Sequence, residues 1–236
     1  MVGSTVFCAA DFYGLGIVDV SDPKSPKLRG FVKLPGQAKN VAVIGTTALV
    51  ADHMSGIDIV DITDASKPTK KDSYFLEGYA RDVASTGTMA YAIDAPAGIY
   101  TFDLSKAGPV EPIASEQSAR APASIELSKG LAVLVGGGML QIYDLSKPSA
   151  PVKAATLRTP SGRPVRATLH GSRAYVADAR DGLQVVDLSK PATPTIIGSF
   201  KTAEPARDVA ATDSLVLVVV GAAGEDEGEV LILKQM

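Results

Sequence analysis

A single cysteine, Cys8, in 236 residues leaves no partner for an internal disulfide, so the fold cannot depend on an oxidising compartment. Positive charge is not in excess either. With 23 Lys and Arg against 26 Asp and Glu, the net charge is −3, and phosphate backbones and anionic lipid surfaces are poor partners for such a chain. Membrane insertion within the chain is likewise not expected: no apolar run approaches the ~20 residues of a spanning helix, the longest candidate being Leu215 to Val220. The opening Met1-Val2-Gly3-Ser4 has neither a charged nor an apolar leader segment and does not read as a secretion signal, although a targeting segment could lie outside these residues.

Catalytic and metal-binding signatures are also missing. The two histidines, His53 and His170, fall at unrelated places in the chain, and no close His/Cys spacing supplies the three or four ligands of a zinc or iron site. There is no Gly-x-Ser-x-Gly elbow to present a nucleophile. Gly136-Gly137-Gly138 is followed by the strand-like Met139-Leu140-Gln141-Ile142, whereas a phosphate loop needs a helix there, so it reads as a tight hairpin. No cofactor and no metal are expected, and an enzyme is the less favoured class.

What is present is 46% hydrophobic residues, enough for a packed core and too many for a disordered chain. Cys8 lies in the apolar run Val6 to Ala10 and is expected to be an inert core thiol. Above all there is a repeat. Ile17-Val18-Asp19-Val20-Ser21 is echoed by Ile59-Val60-Asp61-Ile62-Thr63, Thr101-Phe102-Asp103-Leu104-Ser105, Ile142-Tyr143-Asp144-Leu145-Ser146 and Val185-Val186-Asp187-Leu188-Ser189, with a degenerate sixth copy at Val230-Leu231-Ile232-Leu233. The aspartates are 42, 42, 41 and 43 residues apart. A second marker precedes each by eight or nine residues: Ala10-Asp11, Ala51-Asp52, Ile93-Asp94, Gly136 and Ala177-Asp178. A third, Asp82-Val83-Ala84 and Asp208-Val209-Ala210, has looser relatives at Asn40-Val41-Ala42 and Ala167-Thr168-Leu169.

Each unit reads as four short β-rich runs. In the second they are Val41 to Ile44, Ala48 to Asp52, Gly56 to Ile62 and Lys70 to Leu76, with Gly, Pro, Ser and Asp between them as turn chemistry requires. Four strands in a period of about 42 residues, with no helical periodicity, predict an all-β β-propeller of four-stranded blades. Six blades are expected, the first lacking its leading strand and the last its trailing one, in a single domain over 1–236. The units run approximately 1–40, 41–82, 83–124, 125–167, 168–208 and 209–236.

The pattern Ala-Asp, spacer, Gly-x-x-[Ile/Val]-Val-Asp-[Ile/Val/Leu]-[Ser/Thr], then Lys or Asp and a proline, resembles the LVIVD repeat of bacterial and archaeal cell-surface proteins. It departs at Phe102, Tyr143 and Gly136, and at Lys234, where Asp-Leu would follow Leu233. The resemblance implies an exported or surface-associated propeller, and it implies no catalytic residue set. On that basis the chain is expected to be a non-enzymatic binding or scaffold module. Its partner would be a protein or an anionic small molecule, and it would be a monomer or part of a larger chain.

Among the side chains that could act, the repeated aspartates Asp19, Asp61, Asp103, Asp144 and Asp187 are each followed by Ser or Thr two residues on, the composition of a side-chain-capped turn rather than a metal site. The candidate ligand-binding set is Lys39, Arg81, Arg166 and Arg207, which precede the first strands of their units, with Pro122 in the fourth. First strands lie nearest a propeller axis, so these cations should converge at one mouth of the channel as an anion or carboxylate site. An enzyme holding an anionic substrate there is the alternative. A structural reading competes with both: counting from the hairpin turns pairs Lys39 with Asp52, Arg81 with Asp94 and Arg166 with Asp178 across strands, whereas Arg207 faces Gly221. The acidic run Gly224-Glu225-Asp226-Glu227-Gly228-Glu229 reads as a solvated hairpin tip, with weak calcium binding as the sharper alternative.

Overall fold

The computed structural model describes residues 2–95, 98–105, 109–117, 121–221 and 228–234. These residues form 22 strands in six antiparallel sheets. The first sheet holds β1 (Thr5–Ala9), β2 (Leu15–Asp19) and β3 (Lys27–Val32). The second holds β4 (Asn40–Ile44), β5 (Thr47–Ala51), β6 (Ile57–Asp61) and β7 (Thr69–Tyr74), and the third β8 (Tyr79–Thr86), β9 (Met89–Ala95), β10 (Gly98–Asp103) and β11 (Pro112–Gln117). The fourth is β12 (Ser124–Ser128), β13 (Leu131–Gly136), β14 (Met139–Asp144) and β15 (Val152–Arg158). The fifth is β16 (Pro164–His170), β17 (Arg173–Asp178), β18 (Gly182–Asp187) and β19 (Thr195–Phe200), and the sixth β20 (Ala206–Ala211), β21 (Leu215–Val220) and β22 (Glu229–Lys234). Within each sheet, sequence neighbours pair, as blades of the β-propeller fold do. The first and last sheets have three strands, the first without its leading and the last without its trailing one. Among the described residues no helix is long and apolar enough to cross a membrane.

Two compact units divide the chain, residues 1–119 and 120–236. In the first, three sheets stack face to face, and the two-residue period of a strand explains their composition. Ala48 and Val50 of β5 point toward the first sheet, where they meet Leu15 and Ile17. Leu49 and Ala51 of the same strand point the other way, toward Ala80, Val83 and Phe102 of the third sheet. Both faces of a middle sheet are thus buried, so its second strand is apolar throughout rather than alternating. The second unit repeats the scheme: Val133, Val135 and Ile142 meet Ala174, Val176 and Val186, and on the next interface Tyr175, Ala177 and Leu183 meet Val209, Val216 and Val218. Each fully buried Leu, Ile or Val contributes roughly 1.5–3 kcal/mol by leaving water.

The repeated aspartates close turns. Asp19, Asp61, Asp103, Asp144 and Asp187 each accept a hydrogen bond on Oδ1 from the backbone N–H two residues on, at 2.7 to 2.9 Å. Those bonds hold the carboxyls of Asp19 and Asp187 below their ordinary range, with the side-chain bond to Thr63 leading the same effect at Asp61. Gly137 and Gly138, at φ 58° and 89°, form the two-residue hairpin between β13 and β14. Cys8 departs from the expected core thiol: it lies in β1 but is only half-buried. The acidic run falls on 224–227, outside the described residues, up to Gly228 and Glu229. The repeat boundaries read from the sequence fall inside β4, β8, β12, β16 and β20 rather than between sheets.

Candidate functional site

At the start of the inner strand of the third, fifth and sixth sheets the ladder takes in one extra residue. In the third sheet the register passes from Ala80 opposite Asp94 to Asp82 opposite Ile93, leaving Arg81 between them. In the sixth it passes from Ala206 opposite Val220 to Asp208 opposite Val219, leaving Arg207. In the second, Lys39 immediately precedes Asn40, which faces Ala51, and the Lys39 N–H also donates to the Ala51 carbonyl at 2.8 Å. A bulge of this kind re-aims the side chain it carries. Lys39, Arg81 and Arg207 therefore occupy one structural position.

Arg166 does not share it. In the fifth sheet the register passes from Pro164 opposite Asp178 to Arg166 opposite Ala177, so the extra residue is Val165, and Arg166 stands where Asn40, Asp82 and Asp208 stand in the other sheets. In the fourth sheet the position falls to Ala123, whose N–H donates to the Val135 carbonyl at 2.7 Å, and Pro122 lies one residue before it.

The bulge also overturns the cross-strand pairs expected from counting. Lys39 pairs not with Asp52 but with Asp11 of the first sheet's hairpin, Nζ to Oδ1 at 3.0 Å. Ala80, not Arg81, faces Asp94, and Pro164, not Arg166, faces Asp178. Arg81 is exposed and makes no hydrogen bond or ion pair among the described residues. Arg207 meets its expected neighbour, donating from Nε to the Gly221 carbonyl at 2.9 Å. That bond satisfies a donor, and among the described residues no carboxylate is paired with the charge.

The aspartates taken for cation partners have a different task. Asp52, Asp94 and Asp178 are fully buried and tie down the segment that leads into the inner strand: Asp52 accepts the Gly36 N–H at 2.6 Å, Asp94 the Gly78 N–H at 3.0 Å, and Asp178 the Ser161 hydroxyl. Gly36 is glycine because a Cβ there would sit 2.8 Å from Asp52 Oδ2. In the fourth sheet the arrangement is reversed. A Cβ on Gly136 would lie 2.6 Å from the Ala123 nitrogen, so the loop backbone fills the space an aspartate uses elsewhere.

One feature of this end has no counterpart in the sequence reading. Asp58 of β6 is fully buried beside Asp52, where the other sheets carry Gly16, Tyr100, Gln141, Gln184 and Leu231. Its Oδ1 accepts from Lys70 Nζ at 2.9 Å and Ser73 Oγ at 2.7 Å. Asp52 Oδ1 and Asp58 Oδ2 are buried with no other donor. Burial and the neighbouring carboxylate together push Asp52 up to about 7, so that it keeps a proton to donate to Asp58. Burial raises Asp94 as well. A carboxylate in a strand position that is otherwise apolar, amide or glycine was the available signal.

Neither histidine is part of a metal cluster. His53 lies at φ 50° in the β5–β6 hairpin with its ring stacked on Tyr79, and His170 Nε2 is 2.9 Å from Asp213 Oδ1 on the surface. Among the described residues no three His, Cys, Asp or Glu side chains gather closely enough to hold a metal.

The family model for the LVIVD repeat matches residues 7–33, 35–75 and 167–202. No curated protein matches the sequence. Among solved structures, the chain is similar to the β-propeller domain of Cps50 (Swd1) from Myceliophteria thermophila, with TM-score 0.76 and 11% identity over 92% of this chain and 77% of that one. A functionally unknown protein from Desulfotomaculum acetoxidans superposes with TM-score 0.75 and 12% identity, covering 97% and 79% of the two chains. PorZ, a surface component of the type-IX secretion system of Porphyromonas gingivalis, gives TM-score 0.60 and 14% identity over 99% of this chain and 31% of that one. At such identities the likeness is one of fold.

Proposed function

Because this chain is an LVIVD-repeat protein whose sheets have the β-propeller fold, we propose that it is a non-enzymatic binding module, exported or displayed at the cell surface. It takes an anionic ligand or an acidic protein segment at the end of the blades where the inner strands begin. The observation that carries this reading is Arg81, a guanidinium held out of the ladder by a bulge, exposed, with no carboxylate set against it among the described residues. Arg207 supports it, since the same bulge sets it against a carbonyl and, among the described residues, no acid. An arginine spent on stability would be expected to face the nearby Asp94, and here an alanine does. The likeness to a secretion-system surface component and the repeat's association with cell-surface proteins support the location.

The test is the triple substitution Arg81→Ala, Arg166→Ala, Arg207→Ala in the full chain, titrated with citrate while the arginine Nε–H signals are followed by NMR. Saturable shifts at Arg81 or Arg207 and at the neighbouring Asp82 or Asp208 backbone amides in the native chain, with those amide shifts abolished in the variant at unchanged melting temperature, are expected. No shift in the native chain, or a melting temperature that falls without any change in binding, overturns the reading.

A further inference from the structure

The end of the first unit that carries Lys39 and Arg81 also carries large apolar side chains that the fold does not use. In the first sheet, the β1–β2 hairpin places Phe12 and Tyr13 at its tip, 64% and 75% exposed. In the second, the β5–β6 hairpin places Met54 at its tip, 69% exposed, and the connector from β7 to β8 carries Phe75, 74% exposed. Two contacts bring hairpin and connector together. A Cβ on Gly56 would lie 2.9 Å from the Phe75 Cα, and His53 pairs with Ala80 as an isolated antiparallel bridge. That bridge sets the His53 ring flat against Tyr79, centroids 4.8 Å apart and planes 19° from parallel, with Arg81 two residues further on. Met54, Phe75, the His53–Tyr79 stack and Arg81 thus border one small area.

The repeat itself provides the control. The corresponding hairpins of the second unit are Gly137-Gly138 and Ala179-Arg180-Asp181, and the corresponding connectors are 159–163 and 201–205, with Thr, Pro, Ser, Gly, Arg, Lys, Ala and Glu but no aromatic residue and no methionine. Those sheets form equally well. The exposed rings of the first unit are therefore not demanded by blade geometry, and apolar side chains left in water side by side suit a contact surface. His53 holds the left-handed conformation that Asp11 holds at the same place in the first sheet's hairpin, and its ring completes the stack.

We propose that this area binds an acidic polypeptide segment with aromatic or large aliphatic side chains, the carboxylates pairing with Arg81 and the apolar groups lying on Phe75, Met54 and the His53–Tyr79 stack. Charge complementarity selects the occupant. Lys39 is taken by Asp11, whereas Arg81 is an exposed cation beside the stack whose fork, among the described residues, is free to take a carboxylate through two N–H groups. Neighbouring side chains of an extended peptide can supply the two chemistries side by side, as a small inorganic anion cannot. The proposal rests on the reading of this end as the binding end, and adds to it the apolar half of the ligand.

The experiment uses the full chain with ¹³C-methyl methionine and three synthetic peptides, each six residues long: alternating Asp-Phe, alternating Asp-Ala and alternating Lys-Phe. The Asp-Phe peptide should shift the Met54 methyl signal and saturate, and bind about tenfold or more tighter than either control. Phe75→Ala and Tyr79→Ala, both at exposed side chains, should each remove most of that preference with no change in melting temperature, while Arg81→Ala weakens both acidic peptides. Equal binding of Asp-Phe and Asp-Ala, indifferent to Phe75→Ala, leaves the anion site standing and overturns this inference alone. Equal binding of Lys-Phe overturns the acidic assignment, and no shift with any peptide at about 1 mM overturns both readings.

Discussion

Asp52 and Asp58 show how much can turn on one proton. The two carboxyls are buried against each other, and the arrangement is satisfied only while Asp52 is protonated. Its value is raised from 3.8 to about 7 on folding, so between those values the folded chain holds a proton that the unfolded chain has released. Stability from this group is therefore complete below about pH 4, declines as pH rises through about 7, and is flat beyond. The direction at Asp94 is the same. Asp52→Asn keeps the acceptor for the Gly36 N–H and gives Asp58 a permanent N–H donor. The variant should melt close to the native chain at pH 4 and several degrees above it at pH 8, as followed by circular dichroism across that range. A native chain whose melting temperature is level from pH 5 to pH 8 would contradict the shared proton. Nothing in the sequence announced this pair, because six residues of separation say little until two strands are known to be neighbours and both faces of their sheet to be covered.

At the scale of the element, strands and hairpins were largely legible and phase was not. The runs expected in the second repeat, Val41 to Ile44 through Lys70 to Leu76, lie within a residue or two of β4 to β7, since alternation, glycine and the aspartate-capped turns all mark the same places. The inner-strand bulge defeats counting. One inserted residue moved Arg166 out of line with Arg81 and Arg207, and Ala80 rather than Arg81 came to face Asp94. A similar slip made Asp11 look like the partner of Asp52, whereas the hairpin bonds and the positive φ align it with His53, and Ala10 with Asp52. The fourth sheet gives a sharp check on this accounting. Gly136→Asp restores the residue the repeat pattern favours, yet it drives a side chain into the Ala123 backbone at φ 141°. It should destabilise the protein by about 1–3 kcal/mol, read from denaturant unfolding, and a gain in stability would mean that the loop before β12 yields.

For the whole molecule, periodicity was the legible part. Six copies of one sheet, the first and last each a strand short, follow from spacing alone and agree with the strand order found. The expectation of a single domain predicts one calorimetric transition for the chain, whereas two transitions, near the division at residues 119 and 120, would mean that the two units melt separately. What spacing could not reveal is how the copies differ, and binding is assigned to those differences: rings on two hairpins and a connector, and arginines lifted from their ladders. The three-stranded sixth sheet also bears on how the protein is handled. Among the described residues no strand neighbours the outer edge of β22, and Val230 and Ile232 stand out from it into water. An affinity tag rich in β-formers, fused after residue 236, would find a template waiting and could zip onto it. A short Gly-Ser spacer or a helical tag would leave that margin untouched.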